Sequence, residues 1–487
     1  MGTRSHQGII LLGLGPGEPS AITRAAWNWL ENTDELHVRT SQHPVMADLP
    51  ANLKVISFDQ VYEESQDFDQ VYEKIIAEVL SLGQRPQGVT YAVPGHPFVA
   101  EATCPEIRRR AEAMGIPVRV IDGLSFLEPS FVALGLDPFP QLALVDALEL
   151  ARSHHPPFPP GTAALIAQIY SRAVAADVKL TLNAVYPDTH PVRLVHAAGT
   201  DYQVVEDLQL YEIDRSRHLG LLSSLYLPPL PVETSFEAFQ EIVARLRAPD
   251  GCPWDREQTH LTLRQHLMEE SYETLAAIDS EDSDALCEEL GDLLLQIVLH
   301  AQISSEDGEF GMSDVIAGIH RKIVRRHPHV FGDLSLDGVD GVLKNWEKLK
   351  AEERKQNGDG QKGILDGVPA ALPALAQAQE IQERAARVGF DWGDVTPVIG
   401  KVREELAEVM DASDEDKAEE LGDLVFAVVN LSRWYGIEAE SALRATNLKF
   451  RRRFAYIERH AREAGRELSA MTLEEMDALW EQAKGEV

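Results

Sequence analysis

The chain has little of several things, and each shortage excludes something. Cysteine occurs three times in 487 residues, as Cys104, Cys252 and Cys287, far apart and with no CxxC pair. An odd, scattered set fits neither a disulfide framework nor a thiolate zinc site, and it predicts a reducing, cytoplasmic setting. Long apolar runs are missing too. The stretch Ile9 to Leu12 is too short for a signal peptide or a membrane span, and no other run reaches membrane length. Met1-Gly2 opens like a myristoylation signal, but His6 stands where serine or threonine is wanted. Positive charge is scarce: 45 Lys and Arg face 79 Asp and Glu, a net charge of −34. This excludes general affinity for nucleic acid or an anionic membrane. Any phosphate site must be built from a metal ion and a few local basic residues.

What is present begins with ordinary core material. A hydrophobic content of 44% over this length supports two or three domains. The most informative feature is a carboxylate pattern that occurs twice. Glu269-Glu270-Ser271-Tyr272-Glu273 is followed by Glu289-Leu290-Gly291-Asp292, and Glu404-Glu405-Leu406-Ala407-Glu408 by Glu420-Leu421-Gly422-Asp423. Each copy reads EExxE, then ELGD. Carboxylates three or four apart share one helix face, and two such helices side by side bring four of them to one point. Such a cluster needs a cation, and hard oxygen ligands suit Mg²⁺, which commonly serves substrate phosphates. A lone EExxE is most often a solvated helix face. Here Leu293 to Leu299 and Leu424 to Leu431 are apolar nearly all round, which predicts buried helices with Asp292 and Asp423 at the edge of a core.

The rest of the chain falls into two styles. Residues 1–227 alternate strand-like and helix-like stretches, the pattern of a mostly parallel α/β sheet. Strands are expected at Ile9–Leu12, Glu35–Arg39, Gly88–Val93 and Val118–Ile121, and helices at 21–32 and 100–114. The Pro-rich stretch Ser153 to Gly161 reads as a linker. Strands at Ala163–Ile166 and Leu194–Ala197, with a helix at 171–184 between them, follow it, so this region is expected to have two lobes. Pro228-Pro229-Leu230-Pro231 marks the clearest boundary. The expected division is an α/β domain at 1–227, a linker at 228–235, a helical repeat at 236–352, a mobile linker at 353–363 and a second helical repeat at 364–487.

The helical half resembles the MazG family of the all-α nucleoside triphosphate pyrophosphatases. Beyond the two acidic motifs, the matching pieces include Gly251-Cys252-Pro253-Trp254-Asp255, Gln258-Thr259-His260, Arg325-Arg326-His327-Pro328-His329 and Asn447-Leu448-Lys449-Phe450-Arg451-Arg452-Arg453-Phe454. The resemblance implies Mg²⁺-dependent hydrolysis of nucleoside triphosphates to the monophosphate and diphosphate by a homodimer of helical bundles. Metal candidates are Glu405, Glu408, Glu420 and Asp423 in the second repeat, and Glu270, Glu273, Glu289 and Asp292 in the first. Glu404 or Glu405 would activate water, and the sequence does not choose between them. Lys449, Arg452 and Arg453 would reach phosphates, and Asn447 sugar or base. Lys322, Arg325 and Arg326 are their first-repeat counterparts, with Trp254 a candidate for base stacking or for the core. The resemblance favours the second repeat for catalysis; the first is active, regulatory or structural.

In the α/β half, Gly13-Leu14-Gly15-Pro16-Gly17 follows a strand but lacks the GxGxxG spacing, because Glu18 holds the last glycine position. Pro94-Gly95-His96-Pro97 follows another strand. Two such turns facing one crevice make a small-molecule site. With Gly123-Leu124-Ser125-Phe126 and Ala133-Leu134-Gly135-Leu136-Asp137, they resemble the tetrapyrrole (corrin/porphyrin) methylases over about residues 8–225. The fusion is similar to YabN-type proteins. The resemblance implies S-adenosylmethionine as cofactor, held by Leu14, Pro16, Gly95, His96, Val99, Ser125, Phe126 and Gln168, and a small-molecule methyl acceptor. His96 stands where many of these methylases carry aspartate, which leaves a ligand-binding or regulatory role for this half as the alternative.

Overall fold

The computed structural model describes residues 7–65, 67–356 and 363–486. They divide into two compact units, Met1–Arg256 and Glu257–Val487.

The first unit opens with β1 (Ile9–Gly13), α1 (Arg24–Leu30), β2 (Glu35–Val38), β3 (Lys54–Ser57), α2 (Asp59–Glu63), α3 (Phe68–Gly83), β4 (Val89–Val93), α4 (Thr103–Ala113) and β5 (Val118–Ile121). The five strands form a parallel sheet in the order β3-β2-β4-β1-β5. Every residue of β1 and β4 is buried, as expected of central parallel strands covered on both faces. The period-2 alternation of β1 divides the two cores. Ile9 and Leu11 pack with Ile75 and Val79 of α3 and Ile107 of α4, whereas Ile10 and Leu12 pack with Ala26 and Leu30 of α1.

The second lobe contains α5 (Leu127–Leu134), β6 (Ala143–Asp146), α6 (Ala147–Arg152), β7 (Ala164–Ala167), α7 (Arg172–Leu182), β8 (Pro191–His196), β9 (Val204–Gln209) and β10 (Ser223–Leu227). Its sheet runs β6-β7-β10-β8-β9. Here the parallel expectation fails: β6 and β7 are parallel, and the other pairs are antiparallel. No helix lies between β8 and β9, so the chain cannot make the crossover that a parallel pairing needs. Ser153 to Gly161 joins α6 to β7 inside this lobe rather than separating lobes. The sequence pattern leaves β3, β6, β9 and β10 unmarked. The first three are sheet edges, where half-exposed strands carry weak hydrophobic patterning. The unit continues into α8 (Phe236–Arg247) and reaches α9 (Pro253–Glu257).

The second unit is helical: α10 (Arg264–Ser280), α11 (Ser283–Glu306), α12 (Met312–Arg326), α13 (Pro328–Phe331), α14 (Gly338–Gln356), α15 (Ala374–Arg387), α16 (Val395–Asp411), α17 (Lys417–Trp434), α18 (Ala439–Glu463) and α19 (Leu473–Glu486). Helices α10 and α11 form one hairpin, α16 and α17 another. Asp282 caps α11 by accepting from the Asp284 and Ala285 amides, and Asp394 caps α16 through the Thr396 amide. The polar stretch 353–363 lies partly outside the described residues.

One expectation about these helices is overturned. Leu290, Leu294 and Ile297 of α11 are 50%, 36% and 40% exposed, and Val425, Phe426 and Val428 of α17 are 49%, 43% and 45% exposed. The helices are amphipathic in their single-chain setting: one face packs on the neighbouring helix, and a second apolar face is open. Asp423 is exposed and Asp292 half-buried.

Candidate functional site

Each helical hairpin gathers three of its four expected carboxylates. In the second repeat, carboxylate oxygens of Glu405, Glu420 and Asp423 lie within 4.8 Å of one another; in the first repeat, those of Glu270, Glu273 and Glu289 do. The two sets differ in membership. Glu408 stands outside the second trio and Asp292 outside the first, although both press on their neighbours electrostatically. Burial and then the nearby Asp292, Glu273 and Glu289 charges push the Glu270 carboxyl above its usual range. Burial and then Glu405 do the same to Glu408.

The second repeat carries its own counter-charge, which the sequence analysis missed. The Lys401 ammonium donates to Glu404 Oε1 and lies 2.7 Å from Glu405 Oε1, and Glu405 is 5% exposed. These two hydrogen bonds raise the Lys401 pKa. The signal was legible: Lys401 precedes Glu404 by three and Glu405 by four, so all three share one helix face. The corresponding position in the first repeat is His266, whose Nδ1 lies 3.4 Å from Glu269. Glu420 lies in the first turn of α17, where the positive end of the helix dipole favours a carboxylate. A cleft of about 650 Å³ opens beside the first trio, lined by Leu261, Arg264, Gln265, Met268, Glu269, Tyr272 and Glu273.

The basic residues behave differently in the two repeats. Lys449 and Arg452 are exposed on α18, with Asn447 exposed nearby. The Arg453 guanidinium sits 5.6 Å from the Trp480 ring, which itself packs on Phe450. In α12, Lys322 is exposed, whereas Arg325 and Arg326 both bind the Glu353 carboxylate. Trp254 is 56% exposed.

In the first unit, the glycine turns meet at the carboxyl ends of the parallel strands. Gly15 and Gly95 pair as an isolated bridge, with the Gly95 amide donating to the Gly15 carbonyl at 2.8 Å and the Gly15 amide to the Gly95 carbonyl at 3.2 Å. Gly123 closes the junction: a Cβ there would lie 2.3 Å from the Gly95 carbonyl oxygen and 2.8 Å from the Gly13 carbonyl carbon. The backbone is therefore bare where the three strand ends converge. Leu14 is fully buried, and its amide donates to the Val93 carbonyl, so its side chain belongs to the core. Pro16 is buried, and the Val99 amide donates to the His96 carbonyl at 3.2 Å. His96 accepts from the Phe98 amide through Nδ1, and its Nε2 lies 3.6 Å from Asp122. Ser125 donates to Glu128 at 2.6 Å, and Phe126 packs on the second-lobe core. Gln168, just beyond β7, is in a left-handed conformation, φ 67°, unusual for this residue type. The second lobe borders the first loop: the Asp201 amide donates to Glu18, and a Cβ at Gly17 would lie 3.1 Å from Thr200.

Two groups here had no sequence signal. Arg39, just beyond β2, pairs with the buried Glu101 and also donates to the Tyr62 hydroxyl at 2.9 Å. His43 is 6% exposed, and neither ring nitrogen makes a well-formed hydrogen bond, the Gly15 backbone being a polar neighbour. Burial holds its pKa at about 4, against an opposing pull from the Gly15 backbone.

Fold and sites together define an α/β domain whose glycine turns meet at the strand ends, joined to a duplicated helical module with clustered carboxylates. The chain belongs to the MazG family and carries a tetrapyrrole methylase domain in front of it. The MazG nucleotide pyrophosphohydrolase domain model matches residues 258–331 and 398–457, and the Tetrapyrrole (Corrin/Porphyrin) Methylases model matches 8–214. The YabN protein of Bacillus subtilis (strain 168) is 44% identical over 98% of both chains. The nucleoside triphosphate pyrophosphohydrolase of Escherichia coli (strain K12) is 49% identical over 50% of this chain and 94% of its own. Among solved structures, a uroporphyrin-III-C-methyltransferase from Thermus thermophilus aligns at 20% identity and a TM-score of 0.37, over 45% of this chain and 94% of its own.

Proposed function

We propose that the second repeat hydrolyses nucleoside triphosphates to the monophosphate and diphosphate. The observation that carries this reading is the convergence of Glu405, Glu420 and Asp423 beside a lysine. An all-oxygen donor set of three carboxylates fits Mg²⁺, and the Lys401 ammonium already pairs with Glu405. Glu405, Glu420 and Asp423 would hold the ion, with Glu408 in reserve. When bound, the ion would offset triphosphate charge. Glu404 lies outside the trio, is exposed and is paired with Lys401, so it is the carboxylate left uncoordinated to take the proton of the attacking water. The water oxygen bonds to phosphorus as the bridging P–O bond breaks, and diphosphate leaves with that electron pair. Lys449, Arg452 and Arg453 would receive phosphate oxygens.

The test is diphosphate release from a panel of nucleoside triphosphates with and without Mg²⁺. Glu405→Ala is expected to cost more than the roughly 10–100-fold typical of a residue that only supports a metal ligand. Glu404→Gln should lower kcat with little change in Mg²⁺ dependence. Unchanged release in Glu405→Ala would sink the site assignment.

The first unit is proposed to bind S-adenosylmethionine at the carboxyl ends of its parallel strands, where the Gly15 and Gly95 loops meet. Whether methyl transfer follows is a separate question. His96 is already engaged by the Phe98 amide, an arrangement that suits a ligand-binding module as well as a methyltransferase. The open apolar faces of α11 and α17 support a homodimer, and the three free thiols, Cys104 buried among them, support a cytoplasmic setting.

A further inference from the structure

The two repeats provide an internal comparison. Lys322, Arg325 and Arg326 on α12 recur as Lys449, Arg452 and Arg453 on α18, each 127 positions later. In each repeat the last arginine lies over a tryptophan of a later helix: Arg326 over Trp346 of α14 and Arg453 over Trp480 of α19, both at 5.6 Å from ring centre. The frameworks match, but their occupants differ.

In the first repeat, Glu353 lies two turns beyond Trp346 on α14. Its carboxylate takes Arg325 Nη2 at 2.6 Å, Arg326 Nε at 3.1 Å and also Arg326 Nη2. Two guanidinium groups converging on one pair of oxygens is the arrangement that recognises a phosphate. In the second repeat, the position seven beyond Trp480 is Val487. Among the described residues, no carboxylate pairs with Lys449, Arg452 or Arg453. Arg453 Nε, the counterpart of the Arg326 Nε that donates to Glu353, is buried without a hydrogen-bond partner. A buried unpaired donor is costly, so it marks a place where an acceptor belongs.

We propose that Glu353 is an internal substitute for substrate phosphate: it fills the anion fork of the first repeat and leaves the fork of the second open to a polyphosphate chain. This rests on the reading above that the arginines bind phosphate, and it makes the first repeat a latent anion site rather than one that has lost its residues.

The experiment is calorimetric titration of the full chain with inorganic tripolyphosphate in metal-free buffer. Wild type is expected to bind at one fork, and Arg452→Ala/Arg453→Ala to lose that binding. Adding Glu353→Gln to the double variant should restore a site, with affinity at least about tenfold above that background, and Arg325→Ala/Arg326→Ala should abolish it again. If Glu353→Gln does not fold, Glu353→Asp, which keeps the charge but withdraws it by one methylene, should give a smaller rise in the same direction. A folded Glu353 variant with no gain in binding would show a helix clamp and overturn the proposal. Failure of wild type to bind through Arg452 and Arg453 would instead count against the phosphate role of the second repeat, while the Glu353 comparison would still read the first.

Discussion

His43 shows how a single side chain ties stability to pH. In the unfolded chain its imidazole protonates near 6.5; in the folded chain burial delays this to about 4. Between those values the unfolded state binds more protons, so folded stability falls as pH falls. The slope from this group is about 1.4 kcal/mol per pH unit and the total about 3 kcal/mol. His43→Leu, which cannot titrate, should flatten the acid limb of the stability profile between pH 6.5 and 4, measured by urea denaturation at stepped pH. An unchanged limb would mean that His43 is solvated. Lys401 makes the complementary point in the second repeat: one cation at helical spacing tempers a carboxylate pair that the first repeat, with His266 in its place, leaves less compensated.

At the scale of elements, the meeting of β1, β4 and β5 is a tight joint of the first unit. A methyl group at Gly123 would strike the Gly95 carbonyl, and the Gly95 loop cannot swing aside without breaking the Gly15–Gly95 bridge. Gly123→Ala should therefore destabilise the fold by about 1–3 kcal/mol, the usual cost of overpacking. It should also weaken S-adenosylmethionine binding, read by calorimetry at a temperature where the variant remains folded. Full retention of both would show that the loops are slack. In the helical unit the corresponding joint is the hairpin: α10 with α11 and α16 with α17 each bring three carboxylates together from two helices. The hairpin, rather than either helix, is therefore the unit that creates the candidate metal site.

At the scale of the whole molecule, the apolar faces of the helical unit are the outstanding feature. Leu421, Val425 and Phe426 on α17 and Leu290, Leu294 and Ile297 on α11 are each between 36% and 50% exposed. Exposed apolar residues of this kind in a chain of net charge −34 are what the proposed homodimer would cover. A second copy meeting it about a two-fold axis would cover both faces. On the homodimer proposed above, Val425→Glu should give a monomer in sedimentation experiments and leave the first unit folded. A wild-type monomer at micromolar concentration would remove the homodimer from the picture.

Sequence alone determined the α/β-then-helical order, the glycine turns at strand ends and the duplicated acidic motifs. These are properties of local periodicity and short spacing, which the backbone converts directly into shared faces and tight turns. Burial of α11 and α17 was misread, because an apolar run does not say whether its partner lies within the chain or outside it. The antiparallel half of the second sheet, the trio membership that leaves out Glu408 and Asp292, the buried His43 and the hold of Glu353 on Arg325 and Arg326 were decided by the tertiary structure. Each depends on which side chains distant in sequence are packed against one another, and only the folded chain fixes those distances and the desolvation that gives them their energies.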